Sequence, residues 1–303
     1  MGNIYAFEAS TGLPIWNATS PSGIPVVGPS GVVYVAGDRA KTPNGKISNL
    51  FAFNGANGKV LWTSASWDMY SFSPCVLDEA EKICVLGTTK NMYVYGISTE
   101  DGSTVWQADF GVPVYQGVQI APVASYGLIR NNIVYLPITS FGVVALNAFT
   151  GEKVYNGSAP RFVFPDTCSN SSSAALSLWS NSDDKSESLL GGVTEYCSFP
   201  NQMFCSVPLK SLPNWNCADT SFAFAVSAQP VVTADGIALL ADCSSPADWG
   251  GLTAFDLHDH NKILWTTNVT EMCAFGQPVV GPDGTIFIVD IFGRFFAFRV
   301  DTP

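Results

Sequence analysis

Positive charge is scarce in this sequence: 14 Lys and Arg stand against 25 Asp and Glu, for a formal net charge of -11 over 303 residues. That balance supplies no basic field to gather phosphate backbones, which argues against nucleic acid as a partner and against anionic membrane surfaces. Charged residues of both signs reach only 13%, about half the share of an ordinary soluble chain. The surface must therefore be built largely from Ser, Thr, Asn, Gly and peptide groups. Long apolar runs are missing too. The most hydrophobic tract, from Pro278 to Val300, is interrupted by Asp283, Asp290 and Arg294, and no run reaches the ~18 residues of a membrane span. A signal-peptide pattern is also lacking. Met1 is followed within three residues by a repeat already under way, as expected if a leader has been removed or the sequence starts inside a longer protein.

Histidine is scarcer still, with two residues, His258 and His260, flanking Asp259. Any catalytic arrangement built on imidazole would have to use one of them, and no nucleophile is marked nearby. A His-x-His pair with a carboxylate can bind a metal, but on an exposed turn the same residues serve as a solvated polar loop. No Cys-x-x-Cys spacing occurs, which leaves a zinc site without its usual ligand pairs. Asp166, Asp183, Asp184 and Asp248 are carboxylates that a paired acid–base mechanism could draw on, but their spacing brings no two together. No catalytic, cofactor-binding or metal residue is assigned.

What the sequence does have is apolar material, 47% hydrophobic and 13% aromatic, arranged in a repeat. YAFEASTGLPIW ends at Trp16, FAFNGANGKVLW at Trp62, YGISTEDGSTVW at Trp106 and VALNAFTGEKVY at Tyr155. Gly12, Gly58, Gly102 and Gly151 each fall four residues before the terminal aromatic. A Gly there suits a turn that needs positive φ, between flanks rich in β-branched and aromatic residues, so each copy predicts an antiparallel hairpin. TAFDLHDHNKILW, ending at Trp265, has one inserted residue and Asn261 in place of the Gly, which still tolerates a left-handed turn. FCSVPLKSLPNW, ending at Trp215, is a degenerate copy, and FAFRVDTP from Phe296 stops at Pro303 where its Gly would fall.

Between the hairpins lie PVVGPSGVVYVAG from Pro25, PVVTADGIALLAD from Pro230 and PVVGPDGTIFIVD from Pro278. Their Pro/Ala-Asp/Ser-Gly turns separate two apolar strands. Each period is thus four short antiparallel strands, A to D. Nearly continuous apolar runs mean strands covered on both faces, as in sheets stacked radially. The fold class predicted is all-β, a single β-propeller domain over 1–303 of four-stranded antiparallel blades.

The pattern resembles the PQQ-like, or quinoprotein-type, β-propeller repeat. The resemblance covers nearly the whole chain except residues 157 to 202. It implies that Trp16, Trp62, Trp106, Tyr155, Trp215 and Trp265 dock adjacent blades. Both ends of the chain fall on a C strand. Six blades result if the first hairpin completes the last sheet, seven positions if each end is partial, with truncation from an eight-bladed parent as a third option. Quinoprotein dehydrogenases of that family hold PQQ with a stacking Trp, a vicinal Cys pair and calcium-binding carboxylates. This sequence has no adjacent Cys pair, so PQQ with calcium stays a secondary alternative. Trp67, Trp179 and Trp249 lie outside the clear repeats and are candidates for loop packing or ligand contact.

Eight cysteines and four sequons, at Asn17, Asn156, Asn170 and Asn268, together indicate an oxidising, glycosylating compartment. Cys75 and Cys84 are expected directly opposite each other across a four-residue hairpin. Cys243 and Cys273 are expected on one face of neighbouring blades. Cys168, Cys197, Cys205 and Cys217 surround a degenerate blade and insertion at about 157–220, with connectivity open. The tract from Ser169 to Ser188 reads as a flexible polar insertion, and residues 38 to 48 and 242 to 251 as long loops. The sequons at Asn17, Asn156 and Asn268 are expected to follow D strands. The resulting expectation is a non-enzymatic secreted, lumenal or cell-surface glycoprotein that binds protein or glycan partners or scaffolds an assembly. The alternatives are a divergent PQQ-dependent oxidoreductase or the lumenal sensor domain of a larger receptor.

Overall fold

The computed structural model of the chain describes residues 2–8, 10–20, 23–42, 45–65, 67–68, 74–87, 93–110, 114–115, 118–119, 127–138, 142–154, 172–180, 186–195, 201–208, 216–223, 230–233, 235–244, 249–259, 261–270, 278–281, 283–289 and 294–299. All regular structure among these residues is strand, and no helix is long and apolar enough to cross a membrane. The chain divides into two compact units, residues 1–138 with 143–161 and residues 139–142 with 162–303.

The first unit opens with a two-stranded hairpin, β1 (Gly2–Phe7) and β2 (Pro14–Ser20). Next comes a sheet in the order β3 (Pro25–Val27), β4 (Val32–Thr42), β5 (Gly45–Asn54) and β6 (Val60–Thr63), with the short β7 (Trp67–Asp68) also on β5. A four-stranded sheet then runs β8 (Val76–Leu77), β9 (Ile83–Gly87), β10 (Tyr93–Ser98) and β11 (Thr104–Asp109). After the small β12 (Val114–Tyr115) and β13 (Val118–Gln119) pair follows a three-stranded sheet of β14 (Leu128–Arg130), β15 (Ile133–Ile138) and β16 (Gly142–Asn147). The strands are antiparallel to their sequence neighbours, as short turns require.

The second unit holds a sheet of β17 (Ser172–Ser180), β18 (Glu187–Glu195), β19 (Asn201–Pro208) and β20 (Asn216–Ala223). It continues with β21 (Val231–Val232), β22 (Ile237–Ser244), β23 (Trp249–Asp256) and β24 (Lys262–Thr270), then the three-stranded β25 (Val279–Val280), β26 (Ile286–Val289) and β27 (Phe295–Phe298). Among the described residues, five sheets thus have three or four strands and the β3–β6 sheet has five with β7.

Three sequence expectations are corrected. The Ser-rich tract is not an unstructured insertion, because Ser172–Ser180 pairs along its whole length with Glu187–Glu195. Its small polar residues hide strand alternation, and the partner strand supplies what composition does not. The expected loops at 38–48 and 242–251 are largely strand: β4 and β5 pair out to Thr42 and Gly45, and Ser244 faces Trp249. Asn17 and Asn268 lie inside β2 and β24, not after them.

The cores sit between consecutive sheets. Tyr34, Ala36, Leu50 and Ala52 of the β3–β6 sheet pack with Cys75, Cys84, Leu86, Tyr95 and Ile97 of the β8–β11 sheet. Leu239, Ala241, Leu252 and Ala254 meet Ile286, Ile288 and Phe296 in the same way. Because side chains alternate across a strand, each inner sheet buries one set of residues against the sheet before it and the other set against the sheet after it. Strand β9, Ile83–Gly87, is buried at every position as a result.

Candidate functional site

The turns that close the repeat hairpins have the backbone their glycines were expected to allow. Gly12, Gly58, Gly102 and Gly151 have φ of 69°, 70°, 76° and 72°, and Asn261 has 61°. Three of these turns receive the Trp of the hairpin before. The Trp16 indole N–H donates to the Gly55 carbonyl at 2.7 Å, Trp62 to Thr99 at 2.9 Å and Trp106 to Ala148 at 2.8 Å. The same rings lie flat against glycine: a Cβ on Gly58, Gly102 or Gly151 would stand 2.5 Å from Trp16, Trp62 or Trp106 respectively. Each acceptor residue is also held through its own N–H. Gly55 N–H donates to Gly31 O, Thr99 N–H to Lys82 O and Ala148 N–H to Asn132 O. Thus one residue joins the two turns of its own sheet through its N–H and receives the preceding Trp on its carbonyl. Leu257 N–H donates to Gly236 O in the same arrangement. Trp265 is half-buried beside the Leu239 cluster, while Tyr155 and Trp215 lie outside the described residues.

A second link between sheets has no counterpart in the sequence motifs. Glu81, itself at φ 53°, reaches the turn of the β3–β6 sheet, where its carboxylate accepts from Ser30 N–H at 2.7 Å, Ser30 Oγ at 2.6 Å and Tyr34 Oη at 2.9 Å. Burial pushes this carboxyl up, but the bonds from Ser30 and Tyr34 outweigh it and hold Glu81 below the ordinary carboxylate value. Burial foremost, with Glu81 second, raises the Tyr34 phenol. Burial, reinforced by Tyr93 and Asp109, pushes Tyr95 up to about 12. Both phenols are neutral at neutral pH, and Tyr34 donates to Glu81. No sequence signal marks Glu81, because its partner Ser30 is 51 residues away.

An open cleft of about 470 Å³ is lined by Asp78, Glu79, Lys82, Ile129, Asn132 and Phe149 among others. Its carboxylates are engaged. Asp78 Oδ1 accepts from Lys82 N–H at 2.6 Å and Ile83 N–H at 2.8 Å, and Glu79 pairs with Arg130 at 2.5 Å. These bonds build the turn and tie it to the next sheet, and leave neither carboxylate placed as a free base. At the exposed Asp283, the side-chain bond from Arg299, with bonds from Thr285, lowers the carboxyl to about 2.

The most distinctive surface is apolar. Tyr5 and Phe7 on β1 are 53% and 57% exposed, with their rings stacked at 6.1 Å. Their opposite face, Ile4 with Ala18, packs on Val33, Val35 and Phe53. In the second unit, Phe295 on β27 is 66% exposed and pairs with Phe287 at 5.6 Å. Both patches present residue types that bury themselves between sheets elsewhere in the chain.

Cys75 and Cys84 form a disulfide with Cα atoms 5.5 Å apart. They are not directly opposite, however: Cys84 faces Leu77 and Val85 faces Val76. The bond Asp78 N–H to Ile83 O draws both of those residues into the ladder and displaces the register, so the link runs diagonally. Cys205 lies on β19, Cys217 on β20 and Cys243 on β22 opposite Gly250. Cys168, Cys197 and Cys273 are outside the described residues, as are His260, Asn156, Asn170, Asp166, Asp183, Asp184 and Asp248. Asn17 is exposed, as are His258 and Asp259 on their turn, where His258 N–H donates to Asp256 Oδ1 at 2.8 Å. Trp67, Trp179 and Trp249 are strand residues opposite Ser48, Ser188 and Ser244. Among the described residues no three His, Cys, Asp or Glu converge on one point.

A family profile described as outer membrane protein assembly factor BamB matches residues 1–162. No curated protein sequence matches the chain. Among solved structures, BamB from Moraxella catarrhalis is 12% identical with a TM-score of 0.55, covering 100% of this chain and 90% of its own. Quinohemoprotein alcohol dehydrogenase from Comamonas testosteroni is 12% identical with a TM-score of 0.67, but the match covers 98% of this chain and only 62% of the dehydrogenase. The computationally designed protein Ika8 is 12% identical with a TM-score of 0.60, over 96% of this chain and 75% of the design. At such identities the likeness shows the fold, an all-β propeller of PQQ-type repeats.

Proposed function

This chain belongs to the PQQ-type repeat family represented by the outer membrane protein assembly factor BamB, and from that premise we propose that it is a non-enzymatic binding or assembly scaffold with a protein partner. The observation that carries this reading is the open aromatic face of the first hairpin. Tyr5 and Phe7 stand where the repeat elsewhere places buried residues: Phe53 and Ile97 occupy the position of Phe7 and are 0% exposed. A contiguous apolar patch kept in water is a common mark of a protein-binding surface. We read the array as six or seven blades, the protein as secreted, lumenal or at the cell surface, and the exposed Asn17 as a glycan site consistent with that compartment. Glycan partners remain within this reading and nucleic acid outside it, on the strength of the net charge of -11.

The test is photocrosslinking from position 5 or 7 in extract of the native source, with exposed Thr11 as control. The scaffold reading expects one protein captured from positions 5 and 7 but not from 11, and capture from position 5 lost when Phe7→Ser is introduced beside the probe. Equal capture at all three positions would overturn it.

The fold likeness to the quinohemoprotein dehydrogenase favours one second reading, a PQQ-dependent oxidoreductase. Two observations weigh against it. Trp16, Trp62 and Trp106 have committed both indole N–H and ring face to the next turn, and no vicinal Cys pair occurs. Titration with PQQ and calcium, followed by Trp fluorescence, tests that reading; saturable one-to-one quenching would support it.

A further inference from the structure

From the strand register we infer that Cys205 and Cys217 are joined by a disulfide that fastens β20 to β19. The ladder runs Met203↔Asp219, Phe204↔Ala218, Cys205↔Cys217 and Ser206↔Asn216 without a shift. The two cysteines are therefore direct cross-strand partners, not diagonal ones. Directly opposed residues of an antiparallel pair have Cα atoms about 4.5–5.5 Å apart, inside the range of roughly 4.4–6.8 Å that a disulfide spans. The register thus meets the spacing that the bond requires. Cys75 and Cys84, two residues out of direct register, are already bridged in this chain at 5.5 Å.

The place of this pair in the repeat gives the bond a purpose. In five hairpins the residue four or so before the terminal aromatic is Gly12, Gly58, Gly102, Gly151 or Asn261, each at positive φ. The copy ending at Trp215 has Ser211 there, with Pro208 ending β19 and Pro213 in the connection. Proline donates no ladder hydrogen bond, and at its other end the ladder is broken by a register shift between Asn201 and Met203. Strand β20 is also the last in its sheet order, so β19 is its ladder partner. The one hairpin that has lost the turn residue of the repeat carries a cysteine on each strand at matching positions. A covalent link there replaces a local preference with a constraint on the unfolded chain.

Forming the bond removes two electrons and two protons from the two thiols. A dithiol–disulfide oxidoreductase in its disulfide form accepts both and leaves as the dithiol, by attack of one cysteine thiolate and release through the second. This requires an oxidising compartment, and so deepens the localisation proposed above without resting on the partner reading.

The experiment uses the full chain recovered from a secretory expression host. Free thiols are blocked with iodoacetamide before unreduced digestion with chymotrypsin. Cleavage after Tyr196 and Phe204 separates Cys205 from Cys197, and cleavage after Trp215 and Phe222 isolates Cys217 from Cys243. Peptides Cys205–Trp215 and Asn216–Phe222 are expected as one species, two hydrogens lighter than their sum, that splits on reduction. A Cys217→Ser variant is expected to gain one blocked thiol, at Cys205, with the Cys75–Cys84 link unchanged. Finding Cys205 or Cys217 blocked in the unmutated protein, or joined to any other cysteine, overturns the assignment. The peptide map of the unmutated protein decides this even if the variant does not fold.

Discussion

The first hairpin and the β8–β11 sheet carry nearly the same sequence pattern and end in different environments. Tyr5 and Phe7 correspond in the repeat to Tyr95 and Ile97, yet they are 53% and 57% exposed where Tyr95 and Ile97 are 5% and 0%. The strands themselves are not the cause, since both pair in register with a following strand up to a bulge one residue before the turn. What differs is the neighbour. Tyr95 and Ile97 pack on Tyr34, Ala36, Leu50 and Ala52 of the sheet before them, and the first hairpin keeps that face in water. A repeat encodes a face and the spacing to present it, while the burial that makes the face stabilising comes from whatever stacks on it.

That contrast is broken most directly by paired truncations. Phe53→Ala, at a side chain that is 0% exposed among Val33, Val35 and Ile4, should cost about 3–5 kcal/mol. Phe7→Ala, at the same repeat position, should stay within about 0.5 kcal/mol because no packed cavity is created. Chemical denaturation midpoints measure both, and equal losses would mean that Phe7 is covered in solution. Turn glycines give a second matched pair. Gly12→Ala meets nothing within 4 Å and should lose only the left-handed penalty of about 1–2 kcal/mol. Gly102→Ala adds a Cβ 2.5 Å from the Trp62 ring, and should lose a further ~1–3 kcal/mol from overpacking. The difference between the two variants isolates the docking contact from the backbone term.

Those glycines also show what is legible in the sequence. Positive φ is written in single residues, so the left-handed turns at Gly12, Gly58, Gly102, Gly151 and even Asn261 follow from residue type and spacing alone. The hairpins and the all-β class follow from them. Register is harder. Two cysteines flanking a turn announce a link, but whether Asp78 and Ile83 belong to ladder or loop decides what faces Cys84, and one backbone hydrogen bond settles that. The strand from Ser172 to Ser180 is hidden by serine, whose conformational preference is weak until the partner strand from Glu187 to Glu195 fixes it. Glu81 is invisible because its role lies in a contact with Ser30 across two sheets. Exposure of Tyr5 and Phe7 cannot be read at all, since their residue types match those of the buried copies.

A smaller test asks how much of the docking contact is the hydrogen bond and how much the ring. Trp62→Phe keeps an aromatic face for Gly102 but removes the donor to Thr99 O, held at 2.9 Å. The expected loss is about 1 kcal/mol for the bond itself, plus a shared term for the smaller ring. Because Thr99 also donates its own N–H to Lys82 O, amide hydrogen exchange at Thr99 should accelerate with the loss. Unchanged exchange would show that the two turns are tied independently of the Trp.

The smallest effect concerns acid. Glu81 is held below its ordinary pKa by Ser30 and Tyr34 against the opposing pull of burial, so the folded protein binds this proton less readily than the unfolded chain. Its contribution to stability is therefore complete above the unfolded pKa of ~4.3 and drains away as pH falls through the lower folded value. Glu81→Gln keeps an acceptor for Ser30 N–H and Tyr34 Oη but does not titrate. The variant should be less stable than the parent at pH 7, where a charge-assisted bond has become a neutral one, and the gap should narrow as the pH is lowered past 4. Urea midpoints taken across that range would show the convergence. A gap that is constant with pH would mean that the ionised carboxylate contributes nothing beyond its shape, and that the link between the β3–β6 and β8–β11 sheets rests on packing and on the Trp62 contact alone.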